Sequence, residues 1–261
     1  MKTQTPAIAF IALSAVLYGC QHRSTENAPV TTKSPAGEST APSSAAAERR
    51  DDALVRFVNA IPSKAVVDLY ADENRTFNDV AFRAVTPYRE VDGQHYTFRL
   101  RTSGSNQSTP LATNREGLSD GDYYTVFAVP DDHGAAKLRV VEDNFSAPAD
   151  GKARVRVVHA SGDIGELALF ERGRDASLFD GVDFQSVTKY DEVDAWHGAL
   201  DIKPEGGDSV LTSIPDANFE AGKVYTVVVV GNSRTAPKVE AFVIEDQPNA
   251  PAPHASARLG N

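Results

Sequence analysis

Cysteine is almost absent from this 261-residue chain, and the single copy, Cys20, leaves no partner for an internal disulfide and no thiolate cluster for a metal. Positive charge is scarce too. The 26 Lys and Arg face 36 Asp and Glu, a formal net charge of −10, and no basic cluster offsets the deficit, which argues against nucleic acid or an anionic lipid surface as a partner. Gly-x-Ser-x-Gly, a phosphate-cradling glycine loop and His-Glu-x-x-His are missing. The chain is therefore expected to be non-enzymatic and to carry no cofactor, and its folded part must rest on an apolar core.

The amino terminus accounts for the lone cysteine. Residues 1–20 place Lys2 ahead of a mostly apolar run from Ala7 to Leu17, then Gly19 and Cys20. This is the layout of a secretory signal, with a run too short to span a bilayer. Leu17, Gly19 and Cys20 resemble a bacterial lipoprotein lipobox, although Tyr18 departs from the usual small residue. The expectation is a signal peptide over 1–19, acyl chains on Cys20 and an exported, membrane-anchored envelope protein. Two or more chains, at ~0.8 kcal/mol per buried methylene, make a lasting anchor. By the same resemblance Gln21, standing where an Asp would retain the protein, favours the outer membrane.

Between Gln21 and Arg50, 18 of 30 residues are Ser, Thr, Ala or Pro and none is aromatic. Such a stretch buries too little to order itself. Residues 20–50 are read as the lipidated cysteine and a flexible linker spanning roughly 30 Å, and 248–261 as a disordered tail.

The intervening chain repeats itself. "VRFVNA" at 55–60 recurs as "VRVVHA" at 155–160, and "VAFRAVTPYREV" at 80–91 as "VDFQSVTKYDEV" at 182–193, with seven of twelve positions identical. "LSDGDYYTVFAV" at 118–129 matches "FEAGKVYTVVVV" at 219–230, and "RVVED" at 139–143 matches "FVIED" at 242–246. In the first copy, short runs rich in Val, Phe, Tyr and Thr at 53–60, 65–71, 79–85, 95–102, 108–113, 122–129 and 136–142 are separated by Gly, Pro, Asn and Asp. Seven strands in about ninety residues predict an all-β fold of two tandem immunoglobulin-like antiparallel sandwiches, over 51–146 and 151–247. "VYTVVVV" at 224–230 is apolar on both faces, so it should be a strand covered on both sides.

These motifs resemble the bacterial domain-of-unknown-function family 4397, over about 52–247 and more clearly in the second copy. The resemblance implies sandwich domains in exported or surface proteins and transfers no catalytic residue.

Several side chains invite a chemical reading. His159 ends an apolar run, but its counterpart is Asn59, which does not titrate. Both can donate one hydrogen bond and accept another, so both are read as structural strand-end ties. Tyr124 and Tyr225 each stand three residues after a glycine and are read as tyrosine corners or core tyrosines, structural either way. His95 and His197 recur in register as candidate ligand contacts, yet neither has a second histidine at zinc spacing. Trp196 is the large aromatic expected at the surface, able to stack on a sugar or anchor a protein, or else to plug its own sandwich. Asp72 and Glu73, with Asp131 and Asp132, are candidate calcium ligands on loops expected to share one end of the first sandwich. The second copy carries Arg172 and Arg174, with Asn232 and Arg234, in those places, and the opposite charges suggest end-to-loop stacking of the domains or engagement of a polar partner. No metal site is assigned. The expected function is a non-enzymatic binding or structural module of the envelope. The alternative is a carbohydrate- or calcium-binding adhesion module, whose partner is an unidentified envelope protein or glycan.

Overall fold

The computed structural model describes residues 52–62, 66–92, 94–105 and 109–248. The signal peptide, Cys20, the linker and nearly all of the tail lie outside the described residues. All regular structure among the described residues is β. The first copy holds β1 (Asp52–Asn59), β2 (Val66–Ala71), β3 (Asn74–Ala81), β4 (Arg89–Asp92), β5 (His95–Thr102), β6 (Ala112–Gly117), β7 (Tyr123–Pro130) and β8 (Ala136–Glu142). The second holds β9 (Lys152–Ser161), β10 (Leu167–Glu171), β11 (Ser177–Val182), β12 (Asp191–Asp194), β13 (Trp196–Pro204), β14 (Thr212–Phe219), β15 (Val224–Gly231) and β16 (Glu240–Asp246).

Each copy is a sandwich of two four-stranded sheets. The first pairs β4-β1-β7-β8 with β3-β2-β5-β6, and the second pairs β12-β9-β15-β16 with β11-β10-β13-β14. Two features differ from the reading of the sequence. Among the described residues each copy has eight strands rather than seven, and the central pairs β1–β7 and β9–β15 run parallel. Side-chain period marks which face of a strand is buried but not the direction of its neighbour. β3 also lies earlier than expected, because a bulge breaks its alternation. Asp79 sits at φ 54, so Phe77 and Val80, three apart, both point inward. Gly181, at φ 55, does the same for Phe179 and Val182 in the second copy.

Three apolar clusters follow. One lies inside the first sandwich around Phe57, Phe77, Phe98 and Val126, and one inside the second around Leu169, Leu200, Phe219 and Val227. The third is a seam between them, where Val58, Ala60, Phe127 and Val129 meet Val158, Ala160, Val228, Val230 and Ile244. Residues alternating with the core positions of β1, β7, β9 and β15 supply this seam, so the two inner sheets pack face to face. That is why "VYTVVVV" is apolar on both sides. It also corrects the end-to-loop arrangement: Arg172 bonds Asp201 of its own sandwich, and the Arg234 amide bonds Asp163.

Candidate functional site

Charged residues are costly inside an apolar seam unless paired and hydrogen-bonded. Arg56, in the middle of β1, points away from its own core and is buried. Its Nε donates to Thr125 Oγ1 at 2.7 Å, and its Nη2 donates across the seam to Asp246 Oδ1. Arg156, in the middle of β9, donates through Nε to Thr226 Oγ1 at 2.8 Å and through Nη2 to Asp143 Oδ1 of the first sandwich. Each carboxylate is completed from its own side. Asp143 accepts from Thr125 at 2.5 Å and Tyr88 at 2.7 Å, and Asp246 from Thr226 at 2.5 Å and Tyr190 at 2.9 Å. The guanidinium carbons lie 5.0 Å from the Tyr88 ring centroid and 4.5 Å from that of Tyr190.

Burial alone would lower the Arg56 pKa, but the Asp246 and Asp143 carboxylates outweigh it and hold it above the ordinary value. Burial, then Asp143, pushes the Tyr88 hydroxyl up; burial, then Asp246, does the same for Tyr190. The eight residues form a reciprocal, two-fold-like lock with its protons committed. At the rim of the seam the exchange continues: Arg83 pairs with Glu240, while Gln185 accepts from Lys137 at 2.7 Å and donates to Asp132 at 3.1 Å.

His159 and Asn59 play the same part. His159 Nδ1 accepts from the Ser161 amide at 3.2 Å, which leaves Nε2–H to donate to the Gly165 carbonyl at 2.8 Å. Asn59 Oδ1 accepts from the Ile61 amide at 3.2 Å, and its Nδ2 donates to the Val80 carbonyl at 3.1 Å. Burial lowers the His159 pKa. The tyrosines are corners in both copies: the hydroxyl of Tyr124 accepts from the Ser119 amide at 3.0 Å and that of Tyr225 from the Glu220 amide at 3.1 Å.

The remaining candidates do not come together. His95 lies at the strand entry against Gly117, and His197 is exposed with Nε2 2.6 Å from Asp216. Trp196 packs on its own core, 6.0 Å from Phe219, with its ring over Gly198. β1 and β7 are parallel and β2 returns antiparallel to β5, so Asp72 and Glu73 lie at the opposite end of the sandwich from Asp131 and Asp132. The expected shared calcium end is thereby corrected. Asp72 accepts from the Thr97 amide, and Glu73 pairs with Arg99. Asp131 accepts from the amides of His133 and Ala135 at 2.8 Å; the His133 bond, foremost, holds its carboxyl below the usual range. Among the described residues no group of three His, Cys, Asp or Glu is placed to hold a metal ion.

A cleft of about 810 Å³ opens beside the seam, lined by Asp132, Arg139, Glu166, Asp183, Phe184 and Ser186 among others. Phe184 packs its ring 5.6 Å from that of His159. At positions matched by the repeat, Arg139, Asp183 and Ser186 correspond to Phe242, Ala81 and Ala84. These three polar positions of the lining are therefore not copied by the duplication.

The profile of a family described as Domain of unknown function (DUF4397) matches residues 53–170 and 173–261. The junction of the two matches falls inside the second sandwich. No curated protein matches. Among solved structures, the CS-Rosetta structure of the C-terminal domain of AlgF from P. aeruginosa is similar to 37% of this chain and 99% of its own, at 21% identity and a TM-score of 0.30. A likeness of that size carries no functional argument.

Proposed function

Starting from a chain that belongs to the DUF4397 family, we propose that it is a non-enzymatic binding module of the bacterial envelope, exported and held at the outer membrane by acyl chains on Cys20. The observation that carries the reading is the seam cleft. Its walls come from both sandwiches, the reciprocal Arg–Asp lock fixes their spacing, and Arg139, Asp183 and Ser186 of its lining are apolar at the matching positions of the other copy. Clefts between packed domains are common ligand sites. The buried ionisable groups shared by the two copies are occupied in joining them, which leaves the surface for recognition.

The test is capture from native envelopes with the full lipidated chain as bait. A specific envelope protein should be retained by wild type and lost with Asp132→Lys, which reverses a charge in the cleft. Equal capture by both baits, or none above an anchor-only control, defeats the reading. Fatty-acid labelling that persists in Cys20→Ala defeats the anchor.

A further inference from the structure

The outward sheet faces of the two sandwiches share a feature that the cores do not require. In the first, Tyr70 on β2 lies beneath the guanidinium of Arg101 on β5, whose Cζ is 5.5 Å from the ring centroid. In the second, Phe170 on β10 lies beneath the ammonium of Lys203 on β13, whose Nζ is 4.6 Å from the ring centroid. The register is the same in both. Arg101 pairs with Asp68 and Lys203 with Ala168, two residues before the ring in each case. The turn after each cationic strand carries a glycine in the left-handed region, Gly104 at φ 73 and Gly206 at φ 67. Over each arrangement opens a cleft, about 410 Å³ in the first copy and about 400 Å³ in the second. Both fall within the roughly 300–1,000 Å³ typical of small-ligand sites.

We propose that these are duplicate glycan-binding clefts, and that the protein bridges two separate strands of a neutral polysaccharide. The chemistry of the lining selects the ligand. Each cleft sets a cation fixed over a ring among charges of both signs, Glu73 with Arg75 in the first and Asp175, Asp180, Glu205 and Asp208 with Arg174 in the second. A polyanion would meet those carboxylates and a polycation would meet Arg101 or Lys203. Sugar hydroxyls both donate and accept, and satisfy both kinds of group. The topology selects bridging. The inner sheets are joined at the seam, so the sheets that carry the clefts are the two outermost layers and face away from each other. One strand cannot lie across both faces without wrapping the molecule. The inference rests on the reading as a binding module but uses clefts that Asp132 does not line.

The experiment uses the full chain with insoluble cellulose and chitin, and the matching fluorescent cello- and chito-oligosaccharides as the soluble second strand. Wild type should sediment with at least one polymer and carry its labelled oligosaccharide down. Arg101→Met or Lys203→Met should each still sediment yet carry about tenfold less label, and the double variant should stay in solution. Arg101→Lys, which restores a cation over Tyr70, should bridge to within about threefold of wild type. Asp132→Lys, which alters the seam cleft but lines neither glycan cleft, should bridge normally, so loss of envelope-protein capture and loss of bridging report on different sites. Absence of wild-type sedimentation, single variants that bridge like wild type, or sedimentation with polygalacturonate alone would overturn the proposal.

Discussion

Arg56 and Asp246, 190 residues apart in sequence, form a buried hydrogen-bonded ion pair that joins the first sandwich to the second. The same exchange runs in reverse between Arg156 and Asp143. Removing one partner leaves a charge in a dry seam, so Arg56→Ala should cost about 3–5 kcal/mol. Arg56→Met with Asp246→Asn should cost much less than the sum of the two single changes. Chemical denaturation of wild type, Arg56→Ala, the two single variants of the cycle and the double variant tests this, and additive costs would mean that the pair is not energetically coupled.

A two-fold-like seam implies that each half is self-complementary. The second sandwich carries both Arg156 and Asp246, and both sides of the apolar contact through Val158, Val228 and Ile244. Residues 151–247 expressed alone should therefore dimerise, with Arg156 of one copy facing Asp246 of the next. Arg156→Asp should return the fragment to a monomer. Sedimentation equilibrium distinguishes the two, and a wild-type fragment that stays monomeric at about 100 μM would count against this symmetry argument.

Much of this architecture is legible in the sequence, and the part that is not has a physical reason. The repeat and the run of short strands mark two sandwiches, and the Asn59–His159 equivalence marks a hydrogen-bond tie rather than a base. The lock was in view but unreadable. Arg56, Tyr88, Thr125 and Asp143 recur as Arg156, Tyr190, Thr226 and Asp246 inside the repeated motifs. Polar groups identical in both copies, some embedded in strands apolar on both faces, are the signal of a buried network. Their partners lie in the other copy, however, and one copy's pattern says nothing of a crossed pairing. Of the two places open to Trp196, surface or plug of its own sandwich, the structure has the second for a local reason: Gly198, two residues on, has no Cβ to hold the indole off the sheet, and a methyl there would come to 3.0 Å from it.

The tyrosine corners give a paired measurement. Tyr124→Phe and Tyr225→Phe each delete one acceptor for a loop amide, Ser119 in one copy and Glu220 in the other. Each should cost about 0.5–1.5 kcal/mol, and the double variant should cost the sum because the sites lie in different sandwiches. Thermal unfolding of the three variants checks this. A cost below about 0.3 kcal/mol for either would show that water replaces the hydroxyl freely.

His159 gives the chain a pH dependence that Asn59 cannot. Its ring is buried as the neutral tautomer, with Nδ1 accepting and Nε2–H donating, and burial depresses its folded pKa below the unfolded value of about 6.5. Above that pH both states hold the ring neutral and the contribution to stability is complete. As pH falls from about 6.5 through the folded pKa, the unfolded chain takes up a proton that the folded chain resists, and stability declines. His159→Asn copies the first sandwich and should remove this decline while keeping the tie, even if the smaller side chain lowers the plateau by leaving space beside Phe184. Denaturation midpoints at intervals from pH 7.5 to 5 supply the comparison. Wild-type and variant curves that run parallel through that window would mean that His159 is not held neutral by burial.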